Sequence, residues 1–340
     1  MAEALASPVP VREIAAETPG QLPADVADGD LPVLLRGFVD HWPVVQAAKT
    51  SHQALHNYLK EYDKGAVVPV SAGSPSLDGR VFYNTSFTGF NAERGNAPLG
   101  EVLDRVLSHV EDTRPPLIYL ASSGVDQTLP GFRTENDIDV GAPQPLASVW
   151  IGLRSRIAAH NDLPRNVACV AAGKRRFTLF PPNQTPNLYP GPFELTPAGR
   201  PISLVDFHKP DLEQFPLFKN AMETAQVAEM EAGDALFIPS MWWHHVEAFG
   251  GYNVLVNYWW RTVPSFMGTP QDVLNHALLT IRDMPPTERE VWKHLFDHYV
   301  FGSGEETTQY IPEHARGILG PMDQETARRT RAFLLNRLNR

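Results

Sequence analysis

Three residues have the types and spacing to hold one metal ion. His160-Asn161-Asp162 sets an imidazole and a carboxylate two positions apart, and His244 follows 82 positions after Asp162, in Trp242-Trp243-His244-His245. On a strand, residues i and i+2 share a face, so His160 and Asp162 point the same way. Two imidazoles and a carboxylate suit Fe(II) and leave coordination positions open for substrate, cosubstrate and oxygen. The chemistry would be non-haem iron oxygenation. An isolated His-X-Asp is common by chance; the order of the ligands and their shared inward face give this one weight. His245 competes with His244. Trp242, His244, Val246 and Ala248 form the more apolar face of their segment, and Trp243, His245 and Glu247 the other. Alternation therefore expects His244 inward and His245 outward.

These side chains need strands to carry them. From Ala147 to Trp260, short β-rich runs alternate with Gly and Pro turns: Val149–Leu153, Arg156–Asp162, Asn166–Ala171, Arg175–Phe180, Ala225–Met230, Ala235–Pro239, Trp242–Phe249 and Asn253–Trp260. That rhythm predicts an antiparallel sandwich or barrel. A proline-rich excursion, Pro181–Pro216, interrupts it; its Tyr189, Phe193 and Phe207 are expected to frame a peptide groove or close over a small molecule. Upstream, strands are predicted at Pro32–Arg36, Ala66–Val70, Val81–Tyr83 and Pro116–Leu120. Helices are predicted at Ser51–Tyr62, with Ser51 as N-cap, and at Pro98–Val110. Residues 1–30 read as an extended lead-in.

After Trp260 the pattern turns helical. Thr269-Pro270 is an N-cap followed by proline at the first helical position. Thr287-Glu288-Arg289-Glu290 reads as a capping box, and Asp323 as the cap of a last helix. The stripes behind them, among them Val291, Trp292, Leu295 and Tyr299, either pack on the barrel or form a dimer interface. The chain thus divides into the lead-in (1–30), a β domain with N-terminal α/β elements (31–262) and a C-terminal helical region (263–340).

The 340 residues carry a formal net charge of −10, which argues against general affinity for nucleic acid or an acidic membrane surface. The single cysteine, Cys169, has no partner for an intrachain disulfide, so a reducing cytosol is the simple expectation. It reads as a small buried hydrophobe. The N-terminus has neither the basic start nor the apolar run of a signal peptide, and no stretch approaches a membrane span.

At these residues the chain resembles the Jumonji-C, or cupin-like, oxygenases, in particular the branch that includes the asparaginyl hydroxylase acting on hypoxia-inducible factor. The likeness runs from about Pro32 to Trp260. It is carried by Pro32–Phe38, His160-Asn161-Asp162, Asn166, Gly173–Phe177, Phe180-Pro181-Pro182, Gly233–Pro239, Trp242–Glu247 and Val256–Trp259. The resemblance implies a double-stranded β-helix of jelly-roll type that binds Fe(II) and 2-oxoglutarate, with the first histidine after the paired tryptophans as a ligand.

The resemblance also implies an anchor for the distal carboxylate of 2-oxoglutarate. Family members commonly use a lysine two residues after the turn glycine; that position is Arg175 here. Alternation sets Arg175 with Phe177 and Leu179 on the apolar face, where a cation needs an anion and a guanidinium can bind a carboxylate through two parallel hydrogen bonds. Lys174 is the fallback. Tyr119 matches a tyrosine that bonds the same carboxylate, and Asn166 and Asn257 match asparagines near the metal-bound end; a satisfied core polar group is the other reading of each. The family's hydroxyl three positions before the first metal histidine is replaced by Ile157, with Ser155 or Arg156 as the expected substitutes. The function expected is hydroxylation of a protein side chain or a small molecule. Demethylation of histone-like tails is less favoured, because the chain carries no reader module. A non-catalytic metal-binding cupin, acting as sensor or scaffold, is the alternative.

Overall fold

The fold follows from a computed structural model of the chain, which describes residues 5–302 and 304–339. Residues 1–4 of the lead-in, and residues 303 and 340 of the C-terminal region, lie outside the described residues. Fifteen strands are found among the described residues: β1 (Val9–Pro10), β2 (Arg12–Ala15), β3 (Val33–Arg36), β4 (Val67–Gly73), β5 (Arg80–Val81), β6 (Glu93–Pro98), β7 (Leu117–Gly124), β8 (Leu146–Gly152), β9 (Ser155–Asn161), β10 (Arg165–Ala172), β11 (Lys174–Phe180), β12 (Gln226–Glu231), β13 (Ala235–Ile238), β14 (Trp243–Ala248) and β15 (Asn253–Trp260). They form a six-stranded sheet in the order β1-β12-β11-β14-β9-β5 and a nine-stranded sheet in the order β2-β3-β13-β10-β15-β8-β7-β4-β6. Among the described strands, β1–β12, β2–β3 and β5–β9 pair in parallel and the other pairs are antiparallel. The architecture is mainly β with flanking helices, around a double-stranded β-helix core.

Side-chain alternation builds the interior. Phe177, Leu179, Trp242 and Val246 from the smaller sheet pack against Ala168, Val170, Leu236 and Leu255 from the larger. The larger sheet is buried on its other face as well. There Val167, Cys169, Phe237, Val254 and Val256 pack with Leu55, Leu59, Val102 and Val106, which come from the helices His52–Glu61 and Leu99–Ser108. Burial on both faces explains why Val167–Ala172 is apolar without interruption. Cys169 is fully buried, as its setting predicts.

Local signals place the helices. Ser51 Oγ accepts from Ala54 N at 3.0 Å and starts His52–Glu61. An additional helix, Pro43–Thr50, was not expected; its β-branched Val44-Val45 masks it, while Pro43 at the first position suits it. The lead-in is partly paired, since β1 lies beside β12 and β2 beside β3.

The chain divides into two compact units, residues 1–260 and 261–340. The second contains the helices Pro270–Thr280, Pro286–Phe296 and Gln324–Leu338. Thr269 and Asp323 cap the first and last, accepting from Gln271 N at 3.3 Å and Thr326 N at 2.7 Å. The expected capping box at Thr287 is not formed. Pro285-Pro286 starts the helix earlier, so Thr287 already lies inside it, and no side chain caps its N-terminus. No helix among the described residues is long and apolar enough to cross a membrane.

Candidate metal centre

The two halves of the triad sit on neighbouring strands of the smaller sheet. His244 on β14 lies directly opposite His160 on β9. Asp162 follows the end of β9, and its backbone carbonyl accepts from Met241 N at 2.8 Å, which ties the two strand ends together. One ligand atom from each of His160, Asp162 and His244 lies within 4.8 Å of the others. His244 Nε2 is 3.7 Å from an Asp162 carboxylate oxygen, and the two imidazole centroids are 4.4 Å apart.

The backbone orients both rings. His160 Nδ1 donates to Ala158 O at 2.9 Å, and His244 Nδ1 donates to Trp242 O at 3.0 Å. A carbonyl can only accept, so each Nδ1 carries the proton and each Nε2 is left as an acceptor toward the shared space. Burial, helped by the nearby His160, pulls the His244 pKa down to about 4, so the ring is neutral near pH 7, as a metal ligand must be.

A bulge sharpens the site. Between His244 and Val246 the pairing with β9 shifts by one residue, from His160 to Ile157. Strict alternation would turn Ile157 away from His160; the extra residue lets both face the same cavity. Neither Ser155 nor Arg156 supplies the hydroxyl that Ile157 lacks. Ser155 is buried away from the cavity lining, and Arg156 pairs outward with Asp78 and Asp206.

The cavity has a volume of about 340 Å³ and reaches from the triad between the sheets. Arg175, Tyr119, Asn166 and Asn257 all line it. Gly173 makes the turn that sets Arg175 inward: its φ is +80°, and a Cβ there would sit 2.2 Å from Asn253 Oδ1. Arg175 is 4% exposed, and its Nε has no hydrogen-bond partner. Burial pulls its pKa down to about 10, with Tyr119 opposing the shift. The Tyr119 phenol is raised by burial, with Arg175 and Arg94 pulling the other way. Asn257 Nδ2 donates to Asn166 Oδ1 at 2.8 Å, and Asn257 Oδ1 is buried without a partner.

Lys174 does not belong to this set. It is exposed, and its ammonium lies 2.5 Å from a Glu231 carboxylate oxygen on the outer surface. The alternation that turns Arg175 inward turns Lys174 out. Two residues of the wall were not among the expected site residues, although Trp259 closes the family-like stretch Val256–Trp259. Trp150 and Trp259 meet edge to face, with centroids 6.2 Å apart, and both indole N–H groups are buried without partners.

His245 does leave the cavity but is not exposed. It is 6% exposed and stacks on Phe207, with ring centroids 4.6 Å apart. Phe207 also packs on Phe180 and Phe218, and Tyr189 on Phe215. The aromatic residues of the 181–216 excursion thus cover the outer face of the smaller sheet instead of framing the cavity, and Phe193 stays exposed. Pro197, Ala198 and Ile202 are the excursion's contribution to the wall.

The donor set fits Fe(II) with 2-oxoglutarate. Two neutral imidazoles and one carboxylate converge at one end of the cavity. A buried cation with an unmet N–H, which forms no ion pair among the described residues, stands in the same cavity.

Comparison with known proteins agrees. A family profile described as a cupin-like domain matches residues 19–266. Lysine-specific demethylase 8 of Danio rerio is 27% identical over 248 residues, 70% of this chain and 55% of its own length. Lysine-specific demethylase JMJ31 of Arabidopsis thaliana is 31% identical over 166 residues, 45% of this chain and 29% of its own. tRNA wybutosine-synthesizing protein 5 of Mus musculus is 31% identical over 191 residues, 50% of this chain and 54% of its own. The chain spans about half the length of these curated relatives, or less.

Proposed function

The chain belongs to the cupin-like, Jumonji-C-type family of Fe(II)- and 2-oxoglutarate-dependent oxygenases, and from that membership we propose that it hydroxylates a protein side chain or a small molecule. The observation that carries the proposal is Arg175, a buried guanidinium that forms no ion pair among the described residues and lines the same cavity as the triad. A metal-holding scaffold without catalysis has no use for such a cation.

Bound Fe(II) would supply dioxygen chemistry: one atom of O2 would enter succinate as 2-oxoglutarate loses carbon dioxide, and the other would enter a substrate C–H bond. His160, Asp162 and His244 would hold the ion at one end of the cavity. Arg175 receives the distal carboxylate through parallel N–H bonds, and the Tyr119 hydroxyl donates to it. Asn257 and Asn166, which line the same cavity, would lie near the other end of the cosubstrate. Ile157, Val246, Trp150 and Trp259 keep water out of the space between. The demethylases among the relatives are named for lysine. Removal of an N-methyl group also begins with hydroxylation of its carbon, followed by loss of formaldehyde, so one site serves either outcome.

The test is Fe(II)-dependent conversion of 2-oxoglutarate to succinate. Asp162→Ala should lower it by more than roughly 100-fold, because a metal ligand matters at least as much as the outer partners that tune one. Unchanged succinate production by that variant would sink the proposal.

A further inference from the structure

The cavity wall holds two arginines, and the cosubstrate reading uses one. The other is Arg94, on the edge strand β6. Register pairs Arg94 with Ser71 on β4, and Ser71 with Tyr119 on β7. Residues opposed across neighbouring strands share a face and stand about 4.8 Å apart. Arg94, Ser71 and Tyr119 therefore form one row of roughly 10 Å over three strands, and all three line the cavity.

Arg94 is aimed but not neutralised. Its guanidinium stacks 3.8 Å from the Phe90 ring centroid, and Nη2 donates to Pro197 O at 2.6 Å. Among the described residues it forms no ion pair; the only ionisable group acting on it is the Tyr119 phenol. Arg94 is exposed, and among the described residues its remaining N–H donors have no protein acceptor, so they are free for a ligand. Ser71 is 5% exposed and faces the cavity, and its hydroxyl makes no hydrogen bond to the protein among the described residues. Gly95, next to Arg94, leaves the approach open: a Cβ there would meet nothing within 4 Å.

We infer that this end of the cavity is a subsite for a carboxylate of the primary substrate, paired with the Arg94 guanidinium and the Ser71 hydroxyl. The inference rests on the oxygenase reading of the cavity and narrows its substrate class to acids. A guanidinium bonds a carboxylate through two parallel N–H groups and repels a cation at the same place, so the subsite selects in both directions.

The test uses protein loaded with Mn(II) and saturated with 2-oxoglutarate, which fills the Arg175 end without turnover. Aspartate and asparagine, glutamate and glutamine, and benzoate and benzamide are titrated as pairs by calorimetry. At least one acid should bind about tenfold more tightly than its amide, and that acid should accelerate 2-oxoglutarate consumption by the Fe(II) enzyme. Arg94→Gln should erase the preference, Arg94→Lys should restore part of it, and Ser71→Ala should weaken it severalfold. Equal binding of acids and amides, or binding of neither, overturns the inference. So does an Arg94→Gln defect that appears as weaker binding of 2-oxoglutarate itself, since that would put Arg94 in the cosubstrate site. The initial 2-oxoglutarate titration separates the two readings: if the wild type does not take it up, the oxygenase reading itself fails.

Discussion

Arg175 is where function and stability pull apart. A guanidinium that is 4% exposed and forms no ion pair among the described residues costs folding free energy, because burial disfavours its charge. Replacing a buried ionic group by an apolar one of similar volume is often neutral or stabilising. Arg175→Met should therefore leave stability unchanged or raise it by roughly 1 kcal/mol, while raising the KM for 2-oxoglutarate more than about tenfold. Thermal melting with Mn(II) measures both effects at once: 2-oxoglutarate should raise the melting temperature of the wild type but not of Arg175→Met. A variant that melts several degrees lower and still binds 2-oxoglutarate normally would make Arg175 a structural residue. Lys174→Ala supplies the contrast. Its ammonium is spent on Glu231 at the surface, so its loss should leave the 2-oxoglutarate KM unchanged.

At the scale of elements, turns and register decide whether these groups meet. Gly173→Ala should cost about 2 kcal/mol, since it forces a side chain into positive φ. The new Cβ would also meet Asn253 Oδ1, whose amide is fixed by Phe249 O and Gly251 O. A lower melting temperature together with a raised 2-oxoglutarate KM is the expected outcome, because Arg175 lies two residues beyond the turn; a normal KM would separate the turn from the site. The same elements show what the sequence could express. Period-2 patterning predicts the strands that carry the triad and Arg175, sets His244 rather than His245 inward and turns Arg175 inward, because one face of each strand must be apolar; it predicts no strand over Glu93–Pro98, where Gly95, Asn96 and Pro98 break the pattern. The β9 bulge left no mark in composition, so nothing in the sequence explains how Ile157 and His160 face one cavity. The cover over His245 depends on Phe207, far away in the chain, and strand alternation carries no information about that. Arg94 and Ser71 carry no sequence signal either: Arg94 lies on a strand that patterning does not predict, Ser71 lies just past the predicted strand Ala66–Val70, and only register sets them in one row with Tyr119.

At the scale of the molecule, apolar surface is unevenly distributed. Of the 26 exposed large apolar side chains among the described residues, 19 lie in residues 261–340. Trp292, Leu295 and Tyr299 are 42%, 38% and 50% exposed and recur at helical spacing along Pro286–Phe296 and the turn that follows it. Continuous apolar faces of this kind mark interaction surfaces. The charges around them are complementary. The helix Gln324–Leu338 carries Arg328, Arg329, Arg331 and Arg337 against the single acid Glu325, whereas residues 286–306 carry Glu288, Glu290, Asp297, Glu305 and Glu306 against Arg289 and Lys293, of which Lys293 pairs with Glu290. A second copy related by a two-fold axis would offer each basic helix an acidic partner and cover both apolar faces, because a two-fold interface uses the same patch twice. We therefore propose a homodimer built through residues 261–340. Sedimentation should give the wild type a mass twice the 37.8 kDa of one chain. Trp292→Glu combined with Leu295→Glu should return it to a single chain, since two carboxylates would be buried at the centre of the interface. The salt response provides the second check: complementary charge predicts weaker association as ionic strength rises, whereas a purely apolar contact would hold or tighten. A wild type that sediments as one chain at all salt concentrations would exclude the dimer.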